Sequence, residues 1–271
     1  MSRVELLSVH NYRSDGRRPK ELRDISLSLG THGHADGSAL VSHGLTNVLV
    51  TVHGPREAKS RANTLFDRAV LSVNVDIPVF SGGQGGKRGR SDKRVLEFTS
   101  AIRQTFEPIV QTQLYPRSQI DIFVQVLQQD GGLLQTSINA CTLALIDAGI
   151  ALTDYVCAIT CALHDSTPLL DITSLEESDL PNLTAAVLPK SGKITLLTLE
   201  TRIHVDRFEE MFTLAEDAGR VVHGEMLRAV TTRTERLVKA MDKEGVQDHG
   251  RTGADRPSAR RVEMEIDMDD I

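Results

Sequence analysis

The sequence predicts a two-layer α/β fold, with mixed sheets packed against helices, and three observations predict it. Apolar residues alternate with polar ones in several short runs from Ile25 onward, the period of half-buried strands. Two longer stretches, near residues 92–109 and 206–240, carry apolar residues at spacings of three and four, the period of a helix packed by one face. The central segment, residues 120–150, changes period within itself. Ile120, Ile122, Val124 and Val126 take every second place, and the alternation stops at Asp130-Gly131-Gly132. Leu134, Ile138, Cys141 and Leu145 then recur at four, three and four until Gly149 stands as a C-cap. The segment reads as strand, glycine turn, helix.

The remaining elements follow in order. Residues 15–23, with Asp15-Gly16-Arg17-Arg18 and Glu21-Leu22-Arg23, read as a basic, solvated arm. Ile25, Leu27 and Leu29, then Ala39 and Val41, then Val48, Val50 and Val52 predict three antiparallel strands with turns at His32-Gly33 and His43-Gly44. Gly37-Ser38 suits either a close backbone approach or a strand start. Residues 55–68 are polar and mixed in charge, a surface loop, and Val70–Val79 alternates again as a strand. Residues 81–90 are glycine and basic, unable to bury apolar surface, and predict a flexible segment. Ser91 or Asp92 then caps a helix with the stripe Val95, Phe98, Ile102, Phe106 and Ile109. Tyr155–Leu163 reads as a buried strand and Leu169–Ile172 as a short one. Thr173–Glu177 reads as an acidic loop, and Thr184–Leu188 with Ile194–Leu199 as a hairpin. A capping-box arrangement of Asp206 and Glu209 opens a last helix to about Ala240. Residues 1–244 are expected to form the folded domain and 245–271, rich in Gly, Arg and Asp, a disordered, acidic-ended tail.

Composition narrows the function. A chain of 271 residues with 40% hydrophobic content holds a substantial core. It has no apolar run approaching the ~18 residues of a membrane span, and its N-terminus lacks the apolar stretch of a signal peptide, so no membrane partner and no secretion are expected. Cys141, Cys157 and Cys161 are an odd number in apolar segments, which predicts reduced core thiols. No cysteine or histidine spacing suits zinc, so no metal and no cofactor are expected. The formal charge of −6 conceals an uneven distribution: Glu263, Glu265, Asp267, Asp269 and Asp270 crowd the C-terminus, while residues 87–94 carry Lys87, Arg88, Arg90, Lys93 and Arg94 against one Asp92. Salt screens fields beyond about 8 Å, so local charge decides what binds. Lys93 and Arg94 fall in a helix's first turn, where cations oppose the helix dipole by roughly a few tenths of a kcal/mol each unless an anion is present. That placement favours a phosphate-facing role over a merely solvated one.

The turn Asp130-Gly131-Gly132, together with Asp15-Gly16-Arg17-Arg18, Gly37-Ser38-Ala39, Gly44-Leu45-Thr46, Tyr115-Pro116-Arg117, Ile138-Asn139-Ala140 and Leu145-Ile146-Asp147-Ala148-Gly149-Ile150, resembles the RNase PH family. Members of that family phosphorolyse RNA from its 3′ end and also build the ring of the RNA exosome, and within the family the chain is most similar to eukaryotic ring subunits. The resemblance implies an RNase PH-like fold related to domain 2 of ribosomal protein S5, and for residues 15–23 an ordered lead-in that packs beside the sheet and a neighbouring subunit rather than a solvated arm. It also implies an exosome ring in which a subunit of the forty-five type is the direct neighbour, with S1/KH cap subunits above and a separate catalytic nuclease below. Single-stranded RNA would pass along the central channel, and the setting would be nucleus, nucleolus and cytoplasm, including ribosomal-RNA processing.

For the site, the resemblance implies a defect. Active members follow the turn glycine with Thr-Arg, whose side chains hold the attacking phosphate. Here Gly131 and Gly132 lead into Leu133 and Leu134, which offer neither donor nor charge. Two Asp residues six apart serve proton transfer and metal binding in active relatives; Asp171 matches the first, and Glu177 stands at the second with a longer side chain. Arg94 aligns with an arginine that binds phosphate or RNA backbone, and Lys93 with a basic neighbour. A non-catalytic RNA-binding ring subunit is therefore expected. A working phosphate-dependent 3′-to-5′ exoribonuclease and a scaffold that never touches RNA remain the alternatives.

Overall fold

In a computed structural model, the structure describes residues 6–8, 10–57, 65–82, 92–165, 167–199 and 201–249, with side chains through residue 241. Strands β1 (Ile25–Leu29), β2 (Gly37–His43), β3 (Thr46–Glu57), β4 (Val70–Asp76) and β5 (Ser118–Gln128) form one sheet in the order β1-β2-β3-β5-β4. The first three make an antiparallel meander, β3 pairs antiparallel with β5, and β4 pairs parallel with β5. A parallel pair needs a crossover, and α1 (Lys93–Phe106) lies within it. Strands β6 (Cys157–His164), β7 (Thr167–Leu170), β8 (Asn182–Leu188) and β9 (Lys193–Leu199) form a second, antiparallel sheet in the order β7-β6-β8-β9.

Helix α2 (Leu133–Asp147) is central, touching β2 and β3 of one sheet and β6 and β8 of the other. Its residues from Gln135 to Leu145 are all buried, polar ones included. The reason is visible at β6, whose first half has no β7 partner because β7 pairs only with residues 161–164. Side chains of α2 complete that open edge. Gln135 Oε1 accepts from Thr160 N at 2.6 Å, Asn139 exchanges two bonds with the Ala158 backbone at 2.8 and 3.0 Å, and Thr142 Oγ1 donates to Val156 O at 3.0 Å. Buried backbone groups must find partners, and these side chains supply them. On the other side β2 passes so close that a Cβ on Gly37 would collide with Ala144 O and with Ala148, which explains why glycine starts this strand.

The core is continuous from Val48, Val50, Val52, Ile120, Ile122 and Val124 through Ile138, Leu143 and Leu145 to Ile159 and Leu183. Cys141, Cys157 and Cys161 are free and buried within it, and burial pushes the Cys157 and Cys161 thiols up to about 12. From α4 (Val205–His249), Met211, Ala215, Ala218, Val222 and Met226 are buried in the same core.

Several expectations shift. The fourth strand ends at Asp76, before Pro78, which has no N–H to extend a ladder. Asp206 lies inside the first turn of α4, not at its cap, and the helix continues to His249 rather than Ala240. The expected acidic loop is a short helix, α3 (Ser174–Asp179), in which Glu176 is buried. The glycine and basic segment with Lys87, Arg88 and Arg90, the polar residues 58–64 and the tail from 250 lie outside the described residues.

Candidate functional site

The glycine turn ahead of α2 is built for close contact. Gly131 and Gly132 both take positive φ, 76° and 61°, a region L side chains enter only at a cost. A Cβ on Gly131 would also meet the Thr173–Ser174 backbone at 2.5 to 2.6 Å. The turn thus presses against the start of α3. Gly131 O accepts from Thr46 Oγ1 at 2.8 Å, and Asp130 N donates to the same hydroxyl at 3.0 Å, which ties the turn to the start of β3.

At the helix N-terminus, the Gly132 N–H donates to Glu177 Oε2 at 3.2 Å. Free N–H groups and the positive end of the helix dipole attract an anion there, and a carboxylate of the same chain is the anion present. Leu133 is buried and Leu134 packs against the core. Neither leucine directs a polar group to the turn.

Beneath it lies a buried ionic network. Arg23 Nη2 contacts Asp171 Oδ1 at 2.7 Å, Arg23 N donates to Asp171 Oδ2 at 2.9 Å, and Arg23 Nη1 donates to Asp130 O at 2.7 Å. Gln135 Nε2 donates to Asp171 Oδ1 as well. Burial alone would raise the Asp171 carboxyl; its bonds to Arg23, with the field of that guanidinium, hold it down at about 2. His43 is fully buried beside this pair and touches Asn139 at 3.3 Å. Burial, with the Arg23 charge adding to it and Asp171 opposing, pushes its imidazole down to about 4. A second buried pair, Arg13 with Glu176 at 2.6 Å, lies alongside, and Arg13 Nη1 also donates to Leu170 O at 2.6 Å. Arg17 Nη1 donates to Asp171 O at 3.1 Å. The N-terminal arm, a solvated loop on composition and an ordered lead-in on the resemblance, is bonded to residues 170–176.

The structure brings Gly131, Gly132, Glu177 and Asp171 into one neighbourhood. It gives Asp171 a different place from an open acid: its carboxylate is 0% exposed, with both oxygens bonded inward. Sequence reading passed over Arg13, Arg23, His43, Gln135 and Glu176. Only His43 and Gln135 interrupt an apolar pattern, Arg13, Arg23 and Glu176 standing in polar stretches, and the partners that hold the charged ones in place come from distant parts of the chain.

Helix α1 begins differently. Asp92 caps it, its side chain accepting from Arg94 N at 3.4 Å. Lys93 is exposed and meets Glu97 at 3.5 Å, an i,i+4 pair of small value. Arg94 is exposed and its guanidinium has no partner among the described residues.

Comparison with known proteins places this geometry. Residues 21–151 match the 3′ exoribonuclease family, domain 1, and residues 154–218 match its domain 2. The chain is 45% identical over 232 residues to the exosome complex component RRP41 of Homo sapiens, covering 85% of this chain and 95% of that one. It is 42% identical over 216 residues to the exosome complex component SKI6 of Saccharomyces cerevisiae, covering 79% and 88%. Among solved structures, rice (Oryza sativa) Rrp46 superposes with a TM-score of 0.72 at 25% identity, over 81% of this chain and 100% of that chain. The Archaeoglobus fulgidus exosome with RNA bound to the active site superposes with a TM-score of 0.69 at 22% identity, over 80% and 93%, a likeness of fold. Both domains are present in order, joined through α2 and β6, and the chain belongs to the RNase PH family of 3′ exoribonucleases.

Proposed function

We propose that this chain is a non-catalytic ring subunit of the RNA exosome, which binds single-stranded RNA and scaffolds 3′-to-5′ processing and degradation carried out by a separate nuclease. One observation carries the reading: at the N-terminus of α2, the Gly132 N–H is taken by the chain's own Glu177 carboxylate, while Leu133 and Leu134 supply no donor. An inorganic phosphate there would meet a fixed negative charge and lack the arginine fork that offsets its desolvation. Asp171, the remaining candidate for proton transfer, is ionised and bound to Arg23. A general acid or base has to reach the substrate, and this carboxylate faces inward.

The RNA-facing residues are Arg94 and Lys93, with Lys87, Arg88 and Arg90 of the adjoining basic run. Cations of this kind bind the phosphate backbone without regard to sequence, and the binding weakens with salt. In this reading the direct neighbour is an RNase PH-like subunit of the forty-five type, with S1/KH cap subunits and the nuclease completing the assembly in nucleus, nucleolus and cytoplasm. Identity to exosome components across most of the chain supports the assembly.

The test is phosphorolysis by the purified ring without added nuclease, using 3′-labelled unstructured RNA and magnesium, with and without inorganic phosphate. No nucleoside diphosphate should form while RNA stays bound. Phosphate-dependent release that Asp171→Asn abolishes would establish the exoribonuclease reading instead.

A further inference from the structure

The ring of Phe66 has no role in the core or in the site above. It sits where β3 ends and β4 and β5 begin: Glu57 pairs with Ser118, and Val70 with Gln119. Phe66 is 74% exposed and Leu65 is 49% exposed. A partner that covered this apolar surface would remove it from water, which is favourable.

The ring is held in place. Arg117 N donates to Leu65 O at 3.2 Å, and the Arg117 guanidinium carbon lies 5.2 Å from the Phe66 ring centroid, a cation–π contact. Arg117 takes a φ of 59°, the left-handed region, directly ahead of the first residue of β5. An L side chain adopts that conformation only where its surroundings hold it. Arg68 adds a second cation two residues on, and among the described residues its carboxylate contact is Asp67 at 4.0 Å, the outer limit of an ion pair, with both side chains exposed.

The chemistry on offer is an exposed aromatic face, a planar guanidinium and a weakly held cation. Unpaired bases stack on aromatic and guanidinium planes whatever their identity, and arginine pairs with the phosphates between them. A protein partner would bury the ring in its interface core, where charged residues are depleted; here two arginines face one carboxylate. We propose that Phe66 and Arg117 form a stacking platform for a base of single-stranded RNA, with Arg68 the nearby cation for its backbone. This rests on the RNA-binding reading above and extends it to a stretch that the phosphate site and α1 do not include.

The chain has no tryptophan, so Phe66→Trp places a single indole of this chain at the platform. The full-length variant, alone and within the ring, is titrated with dye-labelled oligoadenylate and with an abasic strand of equal length and charge. Binding is followed by dye anisotropy and stacking by indole emission. Oligoadenylate should quench the indole over the same concentration range in which anisotropy rises, and the abasic strand should leave emission nearly unchanged. Phe66→Ala should weaken oligoadenylate binding about tenfold, within the range for loss of one stacked base, and Phe66→Tyr should restore it. If oligoadenylate binds, and binds less tightly after changes at Lys93 and Arg94, while the indole stays silent or responds equally to the abasic strand, the platform is overturned and the RNA-path reading stands. If the indole responds to the other ring subunits without RNA, the face is a protein contact and the proposal fails. If no RNA binds at all, the RNA-path reading fails together with the platform.

Discussion

Two helix N-termini in this chain have opposite chemistry. Helix α1 opens with Lys93 and Arg94 in water, cations added to the positive end of the dipole. Helix α2 opens with two leucines and directs the Gly132 N–H at a carboxylate. The first arrangement is mildly unfavourable for folding and suited to an anion from outside; the second is favourable for folding and satisfied from within. The difference teaches that a glycine turn at a helix N-terminus can be fixed by the fold itself, whatever binds there. Here the glycine turn presses on α3, bonds to Thr46 and sets α2 between the two sheets.

The comparison breaks most visibly at Asp171. Asp171→Ala leaves the Arg23 guanidinium buried without its counter-charge, and removing one member of a buried pair costs about 3–5 kcal/mol. Urea denaturation of the full chain should show the midpoint fall accordingly. Lys93→Ala and Arg94→Ala, at exposed positions, should stay within about 0.5 kcal/mol. Equal small losses at all three positions would mean that Asp171 is not a structural charge, and the division between the two helix ends would disappear.

Acid should separate the same regions. His43 is held near 4 in the fold against about 6.5 unfolded. Between those values the unfolded chain binds the proton and the folded one does not, so stability falls as pH drops from about 6.5 toward 4, with a slope of at most about 1.4 kcal/mol per pH unit. Asp171 has linkage of the same sign in a lower window, with a folded value near 2 that lies below the unfolded one. Its contribution is present above about 4 and is lost as pH falls toward 2. Two successive phases of acid destabilisation should appear in denaturation midpoints from pH 7 to 2, and His43→Gln should remove the upper one.

What could be read from sequence follows the range of the interactions. Periodicity and the Asp130-Gly131-Gly132 break located β5 and α2 because both depend on neighbours within a few residues. The stripe of α1 and the hairpin of β8 and β9 were legible for the same reason. For α3, expected as an acidic loop, a local signal was present, Thr173 followed three residues on by Glu176, whose carboxylate accepts from Thr173 N at 2.9 Å; the burial of Glu176 was not legible, because its partner is Arg13, 163 positions away. Likewise Gln135, Asn139 and Thr142 look like interruptions in an apolar helix until the open edge of β6 is known. At the candidate site Gly131, Gly132, Asp171 and Glu177 were visible, but their buried partners and electrostatics were not. Asp171 reads the same in sequence whether it faces substrate or Arg23.

The exposed end of the comparison is tested with RNA. On single-stranded RNA, the slope of log affinity against log salt falls by about 0.7 for each phosphate that loses its neutralising cation. Changing Lys93 and Arg94 together to alanine should lower it by that amount per phosphate they neutralise, measured by anisotropy on the assembled ring. The unfolding midpoint should hardly move. An unchanged slope would remove both residues from the RNA path.

The smallest effect is the sharpest, at Glu177→Gln. The amide keeps an oxygen for the Gly132 N–H but gives up the charge that interacts with the α2 dipole, a term of about 0.3–1 kcal/mol. Glu176 is adjacent to Glu177 in sequence and Asp130 precedes the turn it bonds, so like charges oppose it. If the dipole outweighs that repulsion, the amide destabilises the chain slightly in thermal unfolding, and the carboxylate belongs to the fold, as the comparison requires. If the amide stabilises it, the carboxylate is kept against its own repulsion, the usual sign of a group retained for chemistry. The α2 end would then be an active site under electrostatic strain, and phosphate-dependent activity would be the next property to measure.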